Sequence, residues 1–199
     1  MMPPTLATRL GTTTHISALL RKAARLGLRT PADLSALAVQ RGCRHYWHEG
    51  IPEQESVGCD EFTNEELTLA LLNVALPFDP NAIRCGAAMA GAEGNSPKRL
   101  AWLAKLERSE QVLRYVAECG KRFEPENPFW TELLALLPVT PPPKEGALPH
   151  PTRFVSMTGF IPGVGRTLVT QWERPRTAKG ASTVTHAVMP NFSHTNSEQ

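Results

Sequence analysis

Apolar and polar positions alternate with a helical rather than a strand period over roughly the first two thirds of the chain. After Pro31, Leu34, Leu37 and Ala38 share one helical face, and after Thr63, Leu67, Ala70, Leu71 and Val74 do the same. Leu100, Leu103, Ala104 and Leu106 follow Pro97, and a helix from about Glu110 turns Val112, Leu113, Val116 and Cys119 inward, with Gly120 to end it. Trp130, Leu133, Leu134 and Leu137 follow Pro128. A first helix over 15–26 aligns Ile16, Leu19, Leu20 and Ala23 and keeps Arg21, Lys22 and Arg25 largely off that face.

The prolines act as punctuation. In Thr30-Pro31, Asp79-Pro80, Ser96-Pro97 and Asn127-Pro128, a residue able to cap a helix stands directly before a proline. The capping side chain accepts a bond from an unpaired first-turn amide, and proline at the first helical position gives up an amide that has no partner there. Thr63-Asn-Glu-Glu66 has the spacing of a capping box. Gly42 stands where the helix from Pro31 must stop. In 80–91, Gly86, Ala87, Ala88 and Ala90 leave so little bulk that a neighbour can approach closely, which makes this segment the expected central helix.

These signals predict a mainly α protein: a compact bundle of about six short helices over 13–137. A Pro-rich linker over 138–152 then runs extended. Three segments rich in Val, Thr and aromatics within 153–190 predict a small β-hairpin or meander, and 191–199 is an expected disordered tail.

Composition changes the picture in three ways. No apolar run is long enough for a membrane-spanning helix, and no secretory leader is evident, so a cytoplasmic protein is the expectation. The acid-free, Arg-rich residues 1–30 would alternatively suit an organellar transit peptide. The formal net charge of +2 conceals a segregation. Residues 1–50 carry seven Arg or Lys against Asp33 and Glu49, whereas 51–70 carry six acids and no base. Such blocks either pair across the fold or present a basic face to an anionic partner.

Candidate chemistry is concentrated in 42–59. Cys43, His45, His48 and Cys59 are the donor types of tetrahedral zinc, although their separations of one, two and ten intervening residues depart from the usual paired spacing. A polar turn leaving the Pro31 helix explains the same residues, and His45, His48 and Glu49 are the clustered acid–base candidates. Cys59 stands in an acidic run, and Cys85 and Cys119 fall on apolar helix faces as small hydrophobes. No serine nucleophile elbow, phosphate loop or dinucleotide fingerprint occurs.

For nucleic acid, Arg21, Lys22, Arg25 and Arg29 form a basic strip suited to phosphates. The two helices joined through Gly27–Thr30 look like a helix-turn-helix, although the second offers Ser35, Gln40 and Arg41 beside Asp33. The run Ile161, Pro162, Gly163, Val164, Gly165 resembles the hairpin half of a helix-hairpin-helix DNA-binding motif, in which backbone amides hold a phosphate. That resemblance implies anion contacts at Gly163, Gly165 and Arg166. It departs from the motif in its strand-like flanks, and a β-hairpin turn on Pro-Gly fits the same residues.

The reading that makes fewest special demands is a non-catalytic interaction or scaffold protein, part of an assembly, with a protein partner and no cofactor. A nucleic-acid-associated protein and a zinc protein or enzyme are the alternatives.

Overall fold

A computed structural model describes residues 4–43, 57–92, 94–151 and 153, and the backbone of 160–161 and 165–166. The described residues hold eight helices: α1 (Leu6–Leu10), α2 (Ala18–Arg25), α3 (Pro31–Gln40), α4 (Asn64–Leu71), α5 (Pro80–Ala90), α6 (Pro97–Leu106), α7 (Glu110–Phe123) and α8 (Pro128–Leu136). All five predicted starts are capped as expected. Thr30, Thr63, Asp79, Ser96 and Asn127 each accept a first-turn amide, and Thr30 and Thr63 complete capping boxes with Asp33 and Glu66. Gly42 ends α3 with φ 122°, and its neighbour Cys43 donates its amide back to Ala38 O at 2.9 Å. The same closure ends α2, where Gly27 has φ 85° and the Leu28 amide reaches Ala23 O.

α4 packs against α2, α3, α5 and α6, while α6, α7 and α8 pack on one another. The expectation that α5 is central is corrected: every residue of α4 from Asn64 to Leu71 is buried, and its polar members are accommodated by hydrogen bonds, Asn64 to Arg41, Glu65 to the Ser96 amide, Glu66 to Lys22 and Thr68 to Asn64 O. The small residues of α5 do what their size allows. A Cβ on Gly86 would stand 3.0 Å from Leu71 and Leu72, so α5 lies against α4 at near-backbone distance.

Gly120 does not end α7, which continues to Phe123. Its role is steric. A Cβ there would meet the fully buried Trp130 ring at 2.5 Å, and one on Gly91, at the end of α5, would meet the same ring at 3.2 Å. Two glycines far apart in sequence thus make room for one indole, whose Nε1 donates to Glu124 Oε2 at 2.8 Å.

Both ends of the predicted bundle extend further than expected. α1 contributes Leu6, Ala7 and Leu10 to the core, and the chain before it runs beside 74–78, with Leu6 N to Leu76 O 3.0 Å and Phe78 N to Pro4 O 2.9 Å. Arg9 stacks on the Phe78 ring at 3.8 Å. Loss of 1–30 as a leader would remove α1 and α2 and, with them, Leu6, Leu10, Leu19 and Leu28 from that core. The Pro-rich segment lies on α7 and turns at 145–147, where Gly146 has φ 74°. Arg114 donates to Leu137 O and Pro138 O, Gln111 to Pro141 O, and Tyr115 Oη to Pro149 O at 2.7 Å, while Ala147 and Leu148 are buried. Phe160–Ile161 (β1) and Gly165–Arg166 (β2) pair antiparallel. The remainder of the expected meander and tail lies outside the described residues.

Candidate docking face

α6 shows how a short helix can be held firmly and still offer a surface. Leu100, Leu103, Ala104 and Glu107 recur at i, i+3, i+4 and i+7 and are all buried. At 100° per residue, Lys98, Arg99, Trp102, Lys105 and Leu106 then fall within an arc of about 120° on the other side, and all five are exposed. Trp102 is 59% and Leu106 55% exposed, one helical turn apart. The expectation that Leu106 faces inward is corrected, since Glu107 takes the inward place. Lys98, Arg99 and Lys105 pair with no carboxylate among the described residues.

Both ends of α6 are tied to the rest of the bundle by carboxylates. At its start, the Ser96 amide donates to Glu65 Oε1 of α4 at 3.2 Å, while Ser96 Oγ accepts the Arg99 amide. Past its end, buried Glu107 caps α2: Oε1 accepts the Leu19 amide at 3.0 Å, and Oε2 accepts Asn73 Nδ2 at 3.0 Å. Asn73 also reaches Ser17 Oγ at 3.2 Å, and His15 Nε2 lies 3.6 Å from Glu107 Oε2. A carboxylate at a helix N-terminus is favoured by the unpaired amides and dipole there. Ile16, expected on the inner face, precedes this cap and is 81% exposed, because α2 begins only at Ala18.

The turn after α6 places Arg108 at φ 49°, and the Ser109 amide closes back on Ala104 O at 2.8 Å. Glycine is the inexpensive residue at such a stop, and a side chain there costs on the order of 1 kcal/mol. The chain carries an exposed cation instead, immediately beside the basic arc.

The predicted site residues fare differently. Of the zinc candidates, Cys43 is buried behind the α3 stop and Cys59 is exposed, while His45 and His48 lie outside the described residues. Among the described residues no cluster of three His, Cys, Asp or Glu side chains is placed to hold a metal. In the basic strip, Lys22 is taken by Glu66, Nζ to Oε1 2.7 Å and to Oε2 2.8 Å, whereas Arg21, Arg25 and Arg29 are exposed. Of the polar residues that the second helix offers, Ser35 and Arg41 are buried and Gln40 is exposed. Arg41 instead staples the chain at 57–64, donating to Val57 O at 2.9 Å, Gly58 O and Asn64 Oδ1, and desolvation holds its pKa below the ordinary value. Gly165 and Arg166 lie on β2, and Gly163 lies outside the described residues.

Cys119 is buried as expected, and burial first of all pushes its thiol up to about 12, so it is an unreactive packing residue. Between α7 and the Pro-rich segment, Gln111, Arg114, Tyr115, Glu118 and Pro141–Pro143 line a groove of about 90 Å³, well below the size of an ordinary small-molecule site. Pattern reasoning missed Trp102, Glu107 and Arg108. The available signal was that Lys98, Arg99, Trp102 and Lys105 all fall outside the Leu100–Leu103–Ala104 stripe. No known protein family, characterised protein or solved structure matches this chain.

Proposed function

We propose that this protein is a non-catalytic interaction module that works within a larger assembly and engages its partner through the outward face of α6. The observation that carries this reading is the exposure of Trp102 and Leu106 one turn apart, on a helix held at both ends by Glu65 and Glu107. Large apolar side chains normally lie inside, and tryptophan is prominent among residues that dominate binding energy at interfaces. A helix already fixed in place loses little further freedom on binding, so more of the contact energy appears as affinity.

The test is purification of the tagged full-length chain from its native host, beside a Trp102→Ala/Leu106→Ala variant, followed by size-exclusion chromatography. The reading predicts that the wild-type chain elutes in an assembly and the variant as a free chain. An assembly retained by the variant, or a wild-type chain that elutes only as monomer, contradicts it.

A second reading draws on Arg21, Arg25 and Arg29, which remain exposed on and after α2. It makes the protein nucleic-acid-associated, with the arginines on phosphates and no base readout. Titration of a nonspecific duplex against salt tests it, since each neutralised phosphate steepens the salt slope by about 0.9. No affinity at low salt removes this reading.

A further inference from the structure

We infer that the partner segment that covers the α6 face is an acidic amphipathic helix of another protein. The inference rests on the reading of α6 as a docking face and adds the chemistry of what docks there. Lys98, Arg99 and Lys105 surround Trp102 and Leu106 with positive charge, Arg108 adds another cation at the end of the helix, and the exposed arc contains no acid. A complementary surface is therefore negative at its rim and apolar at its centre.

Three alternative occupants fit less well. A second copy docking the same face would set four cations against four, and like charges brought together at an interface oppose association. A single nucleic-acid strand gains from stacking on Trp102 and from the cations but leaves Leu106 without a partner, and it is bound best in a groove rather than on a convex helix. A membrane surface requires a broad apolar face, and here the main apolar stripe of α6 faces the core. An aromatic and an aliphatic side chain at i and i+4 form a ridge, and a ridge packs between the side chains of a second helix. α6 has 10 residues, about 15 Å of helix, so one partner helix of similar length covers the face.

The test uses the full chain and a panel of synthetic 14-residue peptides with Leu, Ile or Phe at i, i+3, i+4 and i+7 and Glu elsewhere. Controls are peptides of the same compositions with scrambled order, a 15-residue oligothymidylate, and phosphatidylcholine vesicles with about a third phosphatidylserine. Binding is read by NMR chemical-shift perturbation and by calorimetry. The inference predicts saturable binding of at least one patterned peptide, at least tenfold tighter than its scrambled version, with shifts centred on 97–108. Trp102→Ala and Lys98→Glu/Lys105→Glu should each weaken it at least tenfold, and Arg21→Glu/Arg25→Glu on α2 should leave it within about twofold. Circular dichroism confirms that each variant is folded. Patterned peptides that bind no better than scrambled ones overturn the inference, as does an α6 response to the oligonucleotide or vesicles in their place. In that last case the docking face itself stands and only the partner class fails. Failure of the docking face is read separately, from an assembly that survives Trp102→Ala/Leu106→Ala.

Discussion

Replacing Gly120 by alanine should destabilise the protein, although alanine is the better helix former. The added methyl carbon would lie 2.5 Å from Cδ2 and Cε2 of Trp130 and 2.8 Å from Cε3. Carbon atoms pack favourably at about 3.5–4.0 Å, so the indole must retreat by about 1 Å. It has little room. Its Nε1 is bonded to Glu124 Oε2, its ring is edge-on to Phe129 at 4.9 Å, and Gly91 closes on its far edge. Overpacking of a filled core costs about 1–3 kcal/mol, and a ring held on several sides belongs at the upper end. Helix propensity returns about 1 kcal/mol, which leaves a net loss of about 2 kcal/mol. Urea unfolding followed at 222 nm should show the midpoint falling by about 1 M, given a slope near 2 kcal/mol/M. In a Trp130→Leu background the cost of Gly120→Ala should shrink by more than about 1 kcal/mol, because the clashing ring is gone. An unchanged or raised midpoint for Gly120→Ala would refute the steric account.

Other residues carry their own tests. Glu107→Ala leaves the buried Leu19 amide without its acceptor, at about 1–3 kcal/mol, and leaves Asn73 Nδ2 with Ser17 Oγ alone, so thermal unfolding should fall accordingly while the exposed Glu132→Ala barely moves it. Burial, the larger cause in both, raises Tyr115 and Cys119 to about 12. The folded state therefore keeps these protons at pH values where the unfolded chain has released them, and stability should be full below about pH 9 and fall through pH 9–12. Tyr115→Phe should remove the tyrosine share of that alkaline loss and free the Pro149 tether, read as faster proteolysis within 138–151. Of the four cysteines, Cys59 is exposed and should react rapidly with a disulfide reagent under native conditions, while the buried Cys43, Cys85 and Cys119 should wait for unfolding.

Local punctuation in this chain was legible because it acts within one turn. A threonine or asparagine before proline needs no tertiary partner to start a helix, and the αL stop at Gly42 needs only its own backbone. Features decided by distant partners were not. Gly120 reads as a helix stop until Trp130 is placed against it, and Ile16 reads as core until α2 proves to begin two residues later. α1 is too short for periodicity to register, and it owes its place to the strand-like pairing with 74–78. The Pro-rich segment reads as extended, but its docking on α7 depends on Arg114 and Tyr115, which its own composition does not reveal. The basic strip was visible, yet the partner of Lys22 lies 44 residues away at Glu66. The α6 face was half legible: the cations and Trp102 stand off the apolar stripe in the sequence, and only the burial of Glu107 turns Leu106 outward to join them.

Hydrogen–deuterium exchange of the chain in its native assembly, against the free chain, tests the α6 docking face most directly. Binding through that face predicts slowed exchange at residues 97–108, with α2 unchanged. Protection confined to α2, or elsewhere with 97–108 exchanging as in the free chain, would contradict it.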